Sequence, residues 1–473
     1  MFAIRKSGYI LRRTIALRSL TTATRHTLHQ VKQTSSVNEV DSSTSRLYTV
    51  RPVTFWMDRI LEKENKRPLT EEETPHEHKL LTKTMADSYM EEYLPFQSSP
   101  ALLEEYVSSG GKIRIGKMLE DLDALAGAIA YKHVDTNPLP PGPPVTIVTA
   151  SVDRLELLLP AQVGDLKLSG HVTYVGKSMF VKVDTIPGYD PSAKTTDAVL
   201  EKDFMAKPTS NTVLFARFTM VAKNSATGKS IQVNPLELNN AEEKKLFKFA
   251  EDSKMRKRLA GEMALSKAPP TAEERLDIHD LYIKYSNFEH KKEMLPKDTV
   301  WMEDTTLQSV FLMQPQDRNI HNNIFGGYLM RRAYELAHAT GCMFVKSQVN
   351  LRALDEIVFS KPVPVGAFLN LSSQVIYAKG DPHRSFQVSV TAEVNDIEKN
   401  TSYVTNTFHF TLESLDNSVP NLLPRTYAES MRYIEGKRRR EQGIKARKSL
   451  LDLMQHYSSS PLSASCSPSA PSA

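Results

Sequence analysis

The sequence predicts an α+β fold built twice in tandem, each unit a long central helix wrapped by a curved antiparallel sheet. Three observations carry this. Leu329, Ala333, Leu336, Ala337 and Thr340 fall at i, i+4, i+7, i+8 and i+11, one face of a helix that begins at Gly326-Gly327. Met118, Leu122, Leu125, Ala126 and Ile129 repeat that spacing after Gly116, and Gly327 minus Gly116 is an offset of 211. Each helix is followed by segments alternating at period two, such as Leu214, Ala216, Phe218, Met220 and Ala222, or Phe386, Val388, Val390, Ala392 and Val394. Further landmarks recur in the same order: Pro160-Ala-Gln-Val-Gly164 with Pro362-Val-Pro-Val-Gly366 at 202, and Phe218-Thr-Met with Phe410-Thr-Leu at 192. The drift in offset is what unequal loops produce, so a duplication is inferred. Alternating strands have one face on the helix and the other on water or a partner, and two such sheets can join edge to edge as a pseudo-two-fold dimer.

With 473 residues, 40% hydrophobic and 24% charged, the chain can bury cores in two or three domains. The net charge of +5 is modest and concentrated towards the ends, which argues against a dedicated nucleic-acid surface. Cys342 and Cys466 lie far apart without neighbours at ligand spacing, so neither a disulfide framework nor a metal site is expected. No apolar run approaches the ~18 residues of a membrane span.

In chain order, residues 1–40 read as a mitochondrial transit peptide. They are rich in Arg, Ser and Thr, and the first acid is Glu39. Residues 41–88 read as a helical, charged extension. The first unit occupies 89–224, with strand-like runs at 145–153, 166–175, 178–185 and 212–222 after its helix. A helical linker spans 225–300, with good helix starts at Asn240-Ala-Glu-Glu and Thr271-Ala-Glu-Glu. The second unit occupies 301–416, with strand-like runs at 307–313, 345–354, 368–377, 386–395 and 403–412. Residues 417–473 read as a helix carrying Lys437-Arg-Arg-Arg440, taken as a solvated face or flexible basic segment, before a Ser/Pro tail.

The stretch Asn319-Ile-His-Asn-Asn-Ile-Phe-Gly-Gly-Tyr-Leu-Met carries the chemistry. Two glycines opening a helix let the backbone approach a ligand, and the first-turn N–H groups can hold a developing oxyanion. Two motifs are decoys. Gly111-Lys-Ile-Arg-Ile-Gly116-Lys117 is close to a phosphate loop, but Met118 stands where Ser or Thr is required. No Gly-x-Ser-x-Gly elbow exists, so attack by water is expected rather than an acyl-serine.

Asn-Ile-Phe-Gly-Gly-Tyr-Leu-Met, together with Val-Asp-Arg, Pro-x-x-Val-Gly-Asp and Tyr-Val-Gly-Lys-Ser, resembles the acyl-coenzyme A thioesterases with two hotdog domains, in particular the mitochondrial acyl-coenzyme A thioesterase 9 group. The likeness runs from about 75 to 435, through Arg114-Ile-Gly-Lys-Met-Leu-Glu-Asp-Leu-Asp, Val300-Trp-Met-Glu, Ala272-Glu-Glu-Arg and Arg425-Thr-Tyr-Ala-Glu-Ser-Met. It implies a tandem double hotdog that hydrolyses fatty acyl-coenzyme A in the mitochondrial matrix, as a homo-oligomer. No cofactor is needed beyond the coenzyme A carried by the substrate.

The resemblance also implies a catalytic Asn before the aromatic-Gly-Gly turn and an acid on the partnering central helix. These fall on Asn323, with Asn322 in the adjacent register, and on Asp123. Gly326, Gly327, Asn319 and Glu335 would support them. Lys112 stands where Asn323 stands in the second unit, and Tyr334 where Asp123 stands in the first. One competent site is therefore expected, with Lys112 and Glu335 as a degenerate reciprocal pair. On the residues alone, Asp123 beside Glu120 and Asp121 reads equally well as a solvated acidic face. His321 reads as a surface loop residue, and Asn319 and Asn322 as turn formers. A hotdog hydratase, or a non-catalytic acyl-coenzyme A binder, are the other functional readings.

Overall fold

The computed structural model describes residues 80–136, 145–159, 163–175, 178–185, 211–225, 227–291, 294–319, 323–397, 400–416 and 418–458. The transit-peptide segment, most of the N-terminal extension, His321, Asn322 and Cys466 lie outside these residues.

The first unit runs α1 (Met85–Ser88), β1 (Met90–Leu94), α2 (Pro100–Tyr106), the central helix α3 (Ile115–Val134), then β2 (Val145–Leu157), β3 (Leu166–Tyr174), β4 (Ser178–Thr185) and β5 (Thr212–Asn224). Two helices follow, α4 (Ala241–Glu262) and α5 (Ala272–Lys291), and a short strand β6 (Thr299–Trp301). The second unit repeats the order with β7 (Leu307–Leu312), the central helix α6 (Gly326–Val345), β8 (Val349–Leu354), β9 (Ile357–Val358), β10 (Phe368–Ala378), β11 (Ser385–Asp396) and β12 (Thr401–Ser414). The chain continues through β13 (Asn421–Leu423) into α7 (Tyr427–Ser458).

The strands form one eleven-stranded sheet in the order β1-β3-β4-β5-β2-β8-β12-β11-β10-β7, with β9 pairing β2 off this path. The order reads the same from both ends once each strand is matched to its counterpart in the other unit. The halves join edge to edge where Leu155 faces Leu354 and Glu156 faces Ala353 in antiparallel register. Pairing these inner edges removes the exposed donors and acceptors each half would present alone.

Helices α3 and α6 pack against each other antiparallel under this sheet. A Cβ on Gly116 would stand 3.0 Å from Arg331 Cγ, and one on Gly327 only 2.8 Å from Glu120 Cα. Glu120 and Arg331 are themselves 211 apart, so the two contacts are one contact seen twice across a pseudo-two-fold axis. Met118, Leu122, Leu125, Ala126 and Ile129 are all buried, as are Leu329, Ala333, Ala337 and Thr340. The polar Thr340 is accommodated because its hydroxyl bonds Ser373 Oγ at 2.7 Å and the Leu336 carbonyl at 3.0 Å. Facing them, Phe386, Val388, Val390, Ala392 and Val394 are fully buried on β11. Each such large side chain contributes about 1.5–3 kcal/mol.

Three features depart from the sequence-based expectation. No strand is expected at 90–94, yet β1 pairs β3 there as the outer edge, the counterpart of β7 on β10. Five residues are too few for a clear period. The strand expected from Val345 begins only at Val349, because α6 runs on to Val345 and Lys346 closes it in the left-handed region at φ 54°. The run Lys437–Arg440 is not a solvated face. Lys437 bonds Asp277 at 2.6 Å and Arg438 bonds Glu274, tying α7 to α5, while Ile434 and Leu450 on the same helix are buried.

Candidate active site

The site is built where the start of α6 meets the middle of α3. The turn before α6 is held by backbone bonds: Asn319 N–H donates to the Asn323 carbonyl at 2.7 Å, and Asn323 N–H donates to Asn319 Oδ1 at 3.2 Å. Ile324 N–H donates to the Val363 carbonyl at 2.8 Å and Phe325 N–H to that of Asp317 at 3.0 Å. Asn319 therefore shapes the turn that presents Asn323. Phe325 precedes the helix in extended conformation and caps it with no side-chain bond, so the first-turn N–H groups face the α3 interface. Gly327 has no room for a side chain, since a Cβ would also stand 2.6 Å from the Phe325 ring.

Asp123 meets this turn from α3 and is only 1% exposed. Thr149 Oγ1, on β2, donates to its Oδ1 at 2.8 Å, while Oδ2 has no hydrogen-bond partner. A Cβ on Gly326 would stand 3.0 Å from that Oδ2, so the unpartnered oxygen is aimed at the helix start. Burial pushes the carboxyl up to about 6, against the Thr149 hydroxyl and the Gly327 N–H, which favour the charged form. Asp121 is buried as well, bonded to Tyr106 Oη at 2.6 Å. The reading of these acids as a solvated face is thereby overturned: both point inward, because β2 and β1 cover that side of α3.

Asp123, Thr149, Asn319, Asn323 and Gly326 line a cleft of about 410 Å³, whose walls include Ala128, Ile147, Met220, Leu329, Phe359 and Val363. A largely apolar slot with a few convergent polar groups at one place suits an extended ligand with a single polar reaction centre. Lys223 and Lys361 also line it, as does Glu92, whose carboxyl burial raises to about 7. Thr149 and Glu92 carried no signal in the sequence, one a strand Thr among many and the other on an unrecognised strand.

The reciprocal position is built differently. Lys112 and Glu335, expected as the degenerate pair, are not brought together: Lys112 Nζ donates to Asn350 Oδ1 at 3.2 Å. Glu335 instead bonds Arg114 at 2.8 Å and Arg331 at 3.1 Å. Burial pushes its carboxyl up, but these guanidinium partners outweigh it and hold the group below its ordinary range. Glu335 thus does not support Asn323; it belongs to the opposite side of the interface, because α3 and α6 run antiparallel. Tyr334, in the place of Asp123, packs on the Phe410 ring at 5.9 Å.

A helix wrapped by an antiparallel sheet, doubled within one chain, defines a double-hotdog protein, with a cleft lined by residues of both units. No family model matches the chain. Acyl-coenzyme A thioesterase 9, mitochondrial, of Bos taurus is 39% identical over 393 residues, covering 81% of this chain and 84% of that protein. The Homo sapiens protein of the same name is 38% identical over 393 residues with the same coverage, 81% and 84%. A mitochondrial acyl-coenzyme A thioesterase 4 of Humulus lupulus is 36% identical over 375 residues, 76% of this chain and 68% of that one. Among solved structures, a putative oleoyl thioesterase from Lactobacillus plantarum is 8% identical with TM-score 0.37, covering 71% of this chain and all of its own (100%). On the strength of the sequence relatives, the chain belongs to the acyl-coenzyme A thioesterase family.

Proposed function

We propose that the chain hydrolyses fatty acyl-coenzyme A to a free acid and coenzyme A, at one composite site formed by Asp123 from the first unit and Asn323 from the second. The observation that carries this is the Asp123 carboxylate, buried, with Oδ2 directed at the Gly326-Gly327 helix start, whose Gly327 N–H favours its charged form. A thioester carbonyl placed over the first turn of α6 would be polarised by backbone N–H groups and the positive end of the helix dipole. Asp123, charged above about pH 6, takes a proton from water as its oxygen attacks the carbonyl carbon. The tetrahedral oxyanion is held by the α6 amides and the Asn323 side chain. Its collapse breaks the C–S bond, and the thiolate leaves as coenzyme A, reprotonated from Asp123.

A hydratase needs an acid–base histidine; His321, between the lining residues Asn319 and Asn323, lies outside the described residues. The thioesterase relatives favour hydrolysis. The mitochondrial relatives and the acid-poor N-terminus support action in the mitochondrial matrix. We include self-association in the proposal: the outer strand β7 leaves Val310 and Leu312 exposed at 61% and 47%.

The test is release of free thiol from acyl-coenzyme A of graded chain length by the purified protein. Release that collapses in Asp123→Asn and Asn323→Ala supports the composite site. Release unchanged in both variants removes it, and native mass of a single chain at micromolar concentration removes the self-association.

A further inference from the structure

Lys437-Arg438-Arg439-Arg440 is a run of four cations, and α7 resolves them unequally. Lys437 is bonded to Asp277, Arg438 to Glu274 and Arg439 to Glu435, the last at 2.8 Å. Arg440 makes no direct ion pair among the described residues; its Nε donates to the neutral Ser385 Oγ at 2.9 Å. It opens into a second cleft, of about 280 Å³, between α7 and the face of the sheet turned away from the central helices.

The α7 side of this cleft is Arg440, Gly443, Ile444, Arg447, Lys448 and Leu451, at i, i+3, i+4, i+7, i+8 and i+11, one helix face. Its floor crosses the seam where the two units join, with Arg154 on β2, Arg352 on β8 and Glu413 on β12. The helix lies close because a Cβ on Gly443 would stand 2.7 Å from the Arg154 guanidinium. Five cations line the cleft against two acids, Glu156 and Glu413. Glu156 is shared by Arg154 and Arg447, and Glu413 is taken by Arg352. Arg440 and Lys448 make no direct ion pair among the described residues, although Glu413 lies near enough to act on Arg440. Burial is the main cause that lowers the Arg440 guanidinium; Arg154 and Arg352 lower it too, while Tyr377 and Glu413 act the other way.

We propose that this cleft is a binding site for a phosphate-rich anion, held by Arg440, Lys448 and Arg352. A concave wall of one charge sign focuses its field on a small counter-ion, and guanidinium forks match phosphate oxygens in pairs. Arg440 and Lys448 are eight residues apart, about 12 Å along the helix axis, so a chain of two or three phosphates bridges them better than one. The site shares no lining residue with the Asp123 cleft. Water and salt ions filling the cleft is the plain alternative.

The test is calorimetric titration of the full chain with inorganic tripolyphosphate, pyrophosphate and orthophosphate at fixed ionic strength. Saturable binding that strengthens with phosphate number, and weakens at least about tenfold in Arg440→Gln and in Lys448→Gln, supports the site. Lys448 is exposed, so its replacement reads binding without disturbing the fold. Thiol release from acyl-coenzyme A by both variants should stay at the wild-type rate. A nucleoside diphosphate binding no tighter than pyrophosphate identifies a free oligophosphate as the ligand; tighter binding identifies a nucleotide. The proposal is overturned by no saturable binding. It is equally overturned by binding that both variants leave intact, or that coenzyme A displaces without Arg440 mattering.

Discussion

Arg114 and Glu335 are joined by an ion pair at 2.8 Å, at the positions that correspond, 211 residues away, to Phe325 and Ala124 on the wall of the cleft. The same interface is thus open on one side and cross-linked on the other. The two halves share a fold and have divided its uses.

Glu335→Gln tests that division. The pair is a third exposed on each side, so its loss should cost less than about 1 kcal/mol of stability. Turnover should stay within about twofold of wild type, as expected of a group outside the reaction centre. A fall in kcat comparable to that of Asn323→Ala would mean that the second position works too.

Asp123→Asn should lower kcat by about 10²–10⁴, the range of a lost general base. It should also raise the melting temperature at pH 7.5. The sign follows from the raised carboxyl: folding holds the proton more tightly than the unfolded chain does. Stability is therefore lost as pH climbs from the ordinary 3.8 through about 6, and the full cost is in place above that. That cost is on the order of 3 kcal/mol, an upper bound on what the neutral amide recovers. A variant both inactive and less stable at pH 7.5 would contradict this account.

The rate should follow the same group. Because the charged form is the base, kcat/KM should rise with pH and level off above a midpoint of about 6. Thr149→Val removes a bond that favours the charged form, so the midpoint should move upward. A limb that stays in place would separate Asp123 from the observed titration.

Gly327→Ala should be far more damaging than Gly116→Ala. The first drives a Cβ to 2.8 Å from the backbone of Glu120, whereas the second meets the flexible Arg331 side chain at 3.0 Å. Thermal unfolding should show a loss of about 1–3 kcal/mol for the former and less for the latter, with activity falling in step for Gly327→Ala.

Arg154→Ala should destabilise the seam by about 3–5 kcal/mol, read as a lowered melting temperature. It would strand the buried Asp355 and leave the buried Glu156 with Arg447 alone, the two acids now sharing the Arg154 guanidinium across the β2–β8 junction. Replacement by Met with unchanged stability would show that the network is dispensable.

The duplication, the two central helices and the long strands are all legible in the sequence. Burying one face of a long element imposes a period that repeats wherever the element does. Asn319 and Gly327 stand out for the related reason that a turn and a close approach demand particular residue types, whereas Asn323 is marked by the resemblance alone. What only the tertiary structure decided is where the acids point and what they meet. Asp123 and Asp121 look like surface residues until β1 and β2 cover them, and Glu335 seems a partner of Asn323 until the antiparallel crossing of α3 and α6 sends it to Arg114. The same holds for Lys437–Arg440, where three cations find acids on α5 or one turn back on α7 and the fourth does not. Periodicity reports how an element faces its core. The partner of a charge is set by elements distant in sequence, and no local pattern records them.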